Sequence, residues 1–256
     1  REAGCTAIQE IGLTLSNAIE YIDAALEKGL KIDDFAPQLS FFFNCHNDFF
    51  EESAKFRAAR KLWYDLVSSK YSPANIKSSK LRFHTQVAGV SLTAQQPLNN
   101  VARVAIQALA AVCGGTQSLH TNSYDEAIGL PTEESATIAL RTQQIIAHES
   151  GAADVVDPLG GSHYVEYLTQ KIYDGAMEII NTVEAKGGAM EAIKQGWQQQ
   201  EIHNSAYKHL NDVESGERKI VGVNLGEMEE LSKVSAMKVD MKLGNIPVSY
   251  THLTLP

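Results

Sequence analysis

Long apolar runs, basic clusters and paired cysteines are all missing from this 256-residue chain. No apolar stretch approaches the roughly 20 residues that a membrane-spanning helix needs. Residues 1–20 also lack the charged, apolar and cleavage regions of a secretory signal. With 22 Lys and Arg against 31 Asp and Glu, the formal charge is −9. No Lys/Arg run reaches the density of a phosphate-tracking groove, so neither nucleic acid nor a membrane is expected as a partner. Cys5, Cys45 and Cys113 are odd in number, widely spaced and form no CxxC. They fit reduced, buried thiols better than a disulfide scaffold or a zinc site. No GxGxxG or GxxxxGK[ST] occurs, which removes the usual phosphate-binding fingerprints of open sheets. His148, His163, His203 and His209 show no HExxH spacing, so no metal is assigned. A soluble, cytoplasmic protein is the expectation.

What is present alternates between two periodicities. With 44% apolar residues the chain can bury a substantial core. Ile8, Ile11, Leu15, Ile19, Ile22 and Leu26 recur at three- and four-residue spacing, which predicts a helix over 6–30 closed by Gly29. "QLSFFFN" (38–44) reads as a strand covered on both sides. Asn47 or Asp48 then caps a helix, with Glu51 in capping-box position to Asp48, that fades near Ser68. "LRFHTQ" (81–86) is a second strand. Pro97 stands at the first position of a helix that Gly114 and Gly115 end. "TQSLHTN" follows as a third strand, and "GLPTEE" opens a helix through His148 and Glu149. Beyond Gly151 the spacing predicts mainly helix, with one further extended segment at 218–224.

Strand–helix units repeating about every 40 residues require parallel pairing with right-handed crossovers, in an open sheet or a (β/α) barrel. Two strands end on His-Thr-amide. Side chains alternate along a strand, so His84 and Gln86 share one face and His120 and Asn122 another such face, with Thr85 and Thr121 opposite. Polar groups gathered at successive strand C-termini describe the mouth of a barrel. A lone strand histidine is more often a hydrogen-bonded core residue. By the same token Lys77 can be merely solvated, Glu126 can favour a helix dipole, and Gly89 and Gly129 can serve only as turn residues.

The run from "LRFHTQVAGVSLTAQQPLNN" through "CGGTQSLHTNSYDEAIGLPTEESA" to "IIAHESG" closely resembles the catalytic large subunit of the methylmalonyl-CoA mutase family, coenzyme-B12-dependent acyl-CoA mutases. The likeness extends from "REAGCTAIQE" through "QLSFFFNCHNDFFEESAKFRAARKLW" and "DPLGGSHYVEYLTQKI" to "GERKIVGVN". It implies an α/β fold, the C-terminal part of a (β/α)8 TIM barrel (1–150), a helical extension (151–224) and a linker (225–247). It implies an isomerase that rearranges a carbon skeleton by radical chemistry, most simply methylmalonyl-CoA to succinyl-CoA, with adenosylcobalamin as cofactor. The implied partners are an acyl-CoA substrate and a cobalamin-binding domain or small subunit, in a dimer or heterotetramer. By resemblance, Gln38, Leu39 and Ser40 contact CoA, with Gln38 where better-known members carry Arg. Lys77, His84 and Gln86 line the reaction chamber. Gly89, Asn122, Glu126, Gly129 and Leu130 touch the cofactor. On charge alone, Lys77 is expected to neutralise Glu126. Val90 stands where several members carry Trp.

Further expectations follow from the same likeness. The histidine that bonds the thioester carbonyl would lie just ahead of Arg1, together with the first barrel strands and the residues that select the acyl group. The DxHxxG cobalamin motif does not occur in the chain. "VSYTHLTLP" (248–256) matches nothing expected there and reads as a non-native tail. The 256-residue piece alone is therefore expected to be inactive. Two other readings stand beside this one: an isobutyryl-CoA or related mutase, and a non-catalytic sister barrel with a structural role. Retention of His84, Gln86, Asn122 and Glu126 argues against the sister barrel.

Overall fold

A computed structural model of the chain describes residues 1–228. Eight α-helices and three parallel strands are found among them, in the order α1 (Ala7–Glu27), α2 (Ile32–Phe35), β1 (Phe41–Cys45), α3 (Phe49–Tyr71), β2 (Phe83–Val87), α4 (Asn99–Cys113), β3 (Ser118–His120), α5 (Glu133–Glu149), α6 (His163–Ala185), α7 (Ala189–Lys194) and α8 (Trp197–Glu214). Short 3-10 turns precede β1 (Ala36–Gln38) and β2 (Ile76–Ser79), and another (Gly89–Ser91) follows β2. The sheet order is β1-β2-β3, which fits a partial barrel. Its register pairs Phe42 with His84, Asn44 with Gln86, His84 with Ser118 and Gln86 with His120.

The helix starts follow from local hydrogen bonding. At α1, the Thr6 hydroxyl accepts from the Gln9 amide, and the Gln9 side chain accepts from the Thr6 amide, a complete capping box. Asp48 caps α3 by accepting from the Glu51 amide. At α5, the Thr132 hydroxyl accepts from the Ser135 amide. Entry to α4 differs from expectation. Pro97 lies in a hydrogen-bonded turn, Asn99 and Asn100 donating to the Gln96 and Pro97 carbonyls, and the helix begins two residues later.

One face of the sheet is packed under helices along its length. Phe43, Cys45, Phe83, Thr85 and Val87 are buried on the helix side. Phe41 meets Trp63 edge-on at 4.8 Å, and Phe83 stacks on Phe56 at 5.1 Å. The opposite face is open at Phe42, 54% exposed, but closed at Asn44, so the expected strand covered on both sides is corrected at its start and holds at its carboxyl end. That strand also starts later than 38. Gln38 closes a 3-10 turn that contains Pro37, and Leu39 and Ser40 lead into β1.

The C-terminal helices pack back on the first half, α6 lying against both α1 and α3. Two glycines permit the α1–α6 approach. A Cβ at Gly12 would stand 2.7 Å from Ile179, and one at Gly175 would stand 2.9 Å from Ile8. Arg57 on α3 ties down the 151–162 loop through Asp157 (2.9 and 3.2 Å) and the first turn of α6 through Glu166 (2.7 Å). The segment 218–224 forms no strand. It makes a turn in which Asn224 Nδ2 donates to the Val213 and Arg218 carbonyls, with an isolated Val221–Leu225 bridge. Of the expected linker only 225–228 is described, and the expected tail at 248–256 lies outside the described residues.

Candidate active site at the strand ends

The carboxyl ends of β2 and β3 bring four of the expected residues together. Gln86 Nε2 donates to Asn122 Oδ1 at 3.0 Å, and Asn122 Nδ2 donates to the Val87 carbonyl at 3.0 Å. Both ends of the Asn122 amide are therefore fixed, and the residue is buried. Gly89 sits directly against it. A Cβ there would meet Asn122 Nδ2 at 3.0 Å, Glu126 Cγ at 3.4 Å and Glu126 Oε1 at 3.6 Å. Glycine lets the 89–91 turn touch the Asn122–Glu126 turn without displacing either side chain.

Glu126 is exposed on a turn whose amides are internally satisfied: Glu126 donates to the Ser123 carbonyl, and Ile128 and Gly129 donate to the Asp125 carbonyl. Buried Asp125 holds the far end of that turn by accepting from the Thr132 amide at 3.3 Å. Leu130, half exposed, lies beyond it. His84 stands further down the same face of β2, its Nδ1 2.7 Å from the Ser118 hydroxyl and its ring 5.5 Å from Phe42. His120 is exposed at the end of β3.

Lys77 does not join this group. It is exposed on the 3-10 turn before β2, at the amino end of the sheet. A strand rises about 3.3 Å per residue, so the length of β2 puts roughly 15 Å between Lys77 and the carboxyl end where Glu126 lies. The expected Lys77–Glu126 neutralisation is therefore corrected. The Lys77 turn packs instead against the Ala36–Gln38 turn, in the neighbourhood of Leu39 and Ser40. Gln38 is exposed, its Nε2 3.2 Å from the Asp34 carbonyl. The expected residues thus fall into two sets at opposite ends of the sheet.

Sequence reading missed a third set, at the carboxyl end of β1. Lys55, wholly buried on α3, reaches Glu10 Oε2 at 2.7 Å, Glu52 Oε2 at 2.5 Å and the Asn44 carbonyl at 2.5 Å. Glu10 Oε1 accepts from the Asn44 amide at 2.8 Å, and Arg1 pairs with Glu52 at 2.6 Å. Burial pushes the Glu52 carboxyl up, but Lys55 and Arg1 outweigh it and hold the group below the ordinary carboxylate range. Burial opposes the Lys55 charge, but Glu10 and Glu52 outweigh it and hold the ammonium above its ordinary value. Burial, then the Arg1 charge, pushes the neighbouring His46 imidazole down to about 3, so it is neutral near pH 7. The available signal was Glu10 on the apolar side of α1 and the Glu52–Lys55 spacing inside "EESAKF".

The thiol nearest the site is turned away from it. Cys45 Sγ lies on the helix side, 3.1 Å from the Gln107 carbonyl, and burial, then Glu52, raises its pKa well above that of an ordinary thiol. The open face presents amides, an imidazole and a carboxylate. No cluster of three or more His, Cys, Asp or Glu suited to a metal ion occurs among the described residues, and no described helix is long and apolar enough to cross a membrane.

A parallel α/β sheet with polar side chains gathered at its strand carboxyl ends is the layout of a ligand-binding barrel mouth. Comparison with known proteins names the family. The model of the methylmalonyl-CoA mutase family matches residues 1–246, and the chain belongs to that family. It is 46% identical over 251 residues to the 2-hydroxyisobutanoyl-CoA mutase large subunit of Aquincola tertiaricarbonis, covering 98% of this chain and 45% of that protein. It is 48% identical over 240 residues to the human mitochondrial methylmalonyl-CoA mutase, covering 94% of this chain and 32% of that one. The methylmalonyl-CoA mutase of Rhizobium meliloti (strain 1021) is 47% identical, with 94% and 34% covered. The chain thus spans between about a third and under half the length of these relatives.

Proposed function

We propose that the protein to which this chain belongs is an adenosylcobalamin-dependent acyl-CoA mutase, an isomerase that moves the thioester-bearing group between neighbouring carbons, and that this chain supplies part of its substrate barrel. The observation that carries the reading is the Gln86–Asn122–Glu126 row packed on Gly89 at the strand ends. Family membership and the names of the relatives support it.

The residues fit the cofactor. Gly89 leaves room where a side chain would push into Asn122 and Glu126, and Val90 and Leu130 offer half-exposed apolar surface beside them. In this reading the exposed carboxylate of Glu126 accepts from ribose hydroxyls, while Gly89, Asn122, Gly129 and Leu130 shape the floor beneath the corrin. When bound, the cofactor supplies the radical that takes a hydrogen atom from the substrate. The chain's own residues bind and orient. Gln86 and His84 offer hydrogen-bonding groups to the acyl thioester, and no thiol faces it. At the opposite end of the sheet, Lys77, Gln38, Leu39 and Ser40 receive the CoA chain.

Reconstitution of the intact parent protein with its cobalamin-binding partner tests this. Isomerisation of an acyl-CoA that requires adenosylcobalamin is the expected result; cofactor-independent activity on the same panel, or none, contradicts it. Within this class the names of most relatives support methylmalonyl-CoA as the substrate. A hydroxylated acyl chain is the second reading, favoured by one observation at β1.

A further inference from the structure

The carboxyl end of β1 holds two polar atoms that the protein leaves without partners. Asn44 Oδ1 and His46 Nε2 are both buried and make no hydrogen bond among the described residues. Folded proteins rarely leave such a group unsatisfied, so each orphan needs an explanation. At Asn44 the main chain is held with unusual firmness for a residue whose side chain is idle. Its amide donates to Glu10 and its carbonyl accepts from Lys55, both members of the buried ion network. Buried ion pairs are weak evidence for stability, because desolvation offsets most of the attraction; their best-attested use is to fix one arrangement among several. Here the fixed element is the backbone of Asn44.

The register then places the side chain. Asn44 is paired with Gln86, and paired residues of adjacent parallel strands project to the same face. The Phe42–His84 ring contact, two residues back, shows which face that is. Asn44 therefore extends the Gln86–Asn122 row by one strand. Gln86 spends its Nε2 on Asn122. The Asn44 oxygen is the unspent acceptor beside it.

We propose that Asn44 is a specificity-determining residue of the substrate site, its Oδ1 accepting a hydrogen bond from a donor, in the first instance a hydroxyl, on the acyl chain of the bound acyl-CoA. This rests on the acyl-CoA mutase reading above. It takes the second of the two substrate readings, favouring acyl chains that carry a hydroxyl over those that end in a carboxylate, as methylmalonyl-CoA does, or in hydrocarbon, since neither of the latter brings a donor at neutral pH. Glu10 and Lys55 act through Asn44 as positioning residues.

The test uses the intact holoenzyme and three acyl-CoA substrates of matched carbon skeleton whose acyl chains bear a hydroxyl, a carboxylate or neither. The wild type is expected to favour the hydroxylated substrate. Asn44→Ala is expected to lower kcat/KM for it about tenfold or more, with the hydrocarbon analogue changing by less than about threefold. The readout is a ratio measured on one preparation, so it does not depend on how much of the variant folds, and Asn44→Ser, which keeps an oxygen acceptor, should recover part of it. Equal losses on all substrates, complete loss included, assign Asn44 a structural role and overturn the proposal, as does a wild type indifferent to the hydroxyl. A wild type inert toward every acyl-CoA overturns the mutase reading itself, and this inference with it.

Discussion

The two halves of the strand-end surface solve opposite problems. At β1 the polar groups are charged, buried and paired with one another: Arg1, Glu52, Lys55 and Glu10 form one connected set around the Asn44 backbone. At β2 and β3 they are mainly neutral amides bonded to one another and to the backbone, with one carboxylate left exposed. Buried charge tolerates almost no displacement, because losing one partner strands the other in a medium of low polarity. Neutral amides can exchange a protein partner for a ligand at little cost. The difference teaches a division of labour: β1 is clamped by buried charge, while β2 and β3 carry the exchangeable groups that the proposed site needs.

Breaking the clamp should give the largest effect. Lys55→Ala leaves Glu10 and Glu52 buried without their cation and is expected to destabilise the protein by about 3–5 kcal/mol, measured by denaturant unfolding. A loss below about 1 kcal/mol would mean that the network is dispensable.

Acid should act on the same region. The His46 imidazole is pushed down to about 3 in the folded state, from near 6.5 when unfolded. The unfolded chain therefore binds the extra proton between those values. This contribution is fully present above about pH 6.5 and is lost as pH falls toward 3, at no more than about 1.4 kcal/mol per pH unit. Glu52, held below the ordinary carboxylate range, adds a loss of the same sign that begins at lower pH. Unfolding midpoints at pH 7 and pH 5 should differ in the wild type and converge in His46→Gln; identical slopes in the two would exclude His46 as the cause.

The open side is sharpened by a smaller change. Gly89→Ala places a methyl 3.0 Å from Asn122 Nδ2 and is expected to cost about 1–3 kcal/mol while lowering turnover roughly tenfold. Turnover that is unchanged would separate the Gly89 contact from the chemistry. Least of all, exposed Lys77→Ala should leave stability within about 0.5 kcal/mol, while KM for the acyl-CoA rises a few-fold with little change in kcat. A selective fall in kcat would return Lys77 to the reaction centre.

The sequence carried the site where alternation alone sufficed. "FHTQV" put His84 and Gln86 on one face, and "SLHTN" delivered Asn122 to the end of the next strand, where both stand in the structure. Where side chains meet across long sequence distances, periodicity has nothing to say. Lys77 was paired with Glu126 on charge alone, and β2 separates them. Glu10 and Lys55, 45 residues apart, were not singled out, yet they hold Asn44 between them. Asn44 itself was hidden in an aromatic run that read as fully covered. The extended reading of 218–224 failed because Asn224 turns that segment back on α8 through side-chain bonds that compete with a strand.

The most direct test of the strand-end site is Glu126→Gln in the intact enzyme. The residue is exposed, the change is nearly isosteric, and the fold should not notice it. If the row at β2 and β3 receives the adenosyl group, the apparent affinity for adenosylcobalamin and the turnover should both fall about tenfold or more at unchanged stability. Wild-type affinity and turnover in that variant would contradict the placement of the cofactor here.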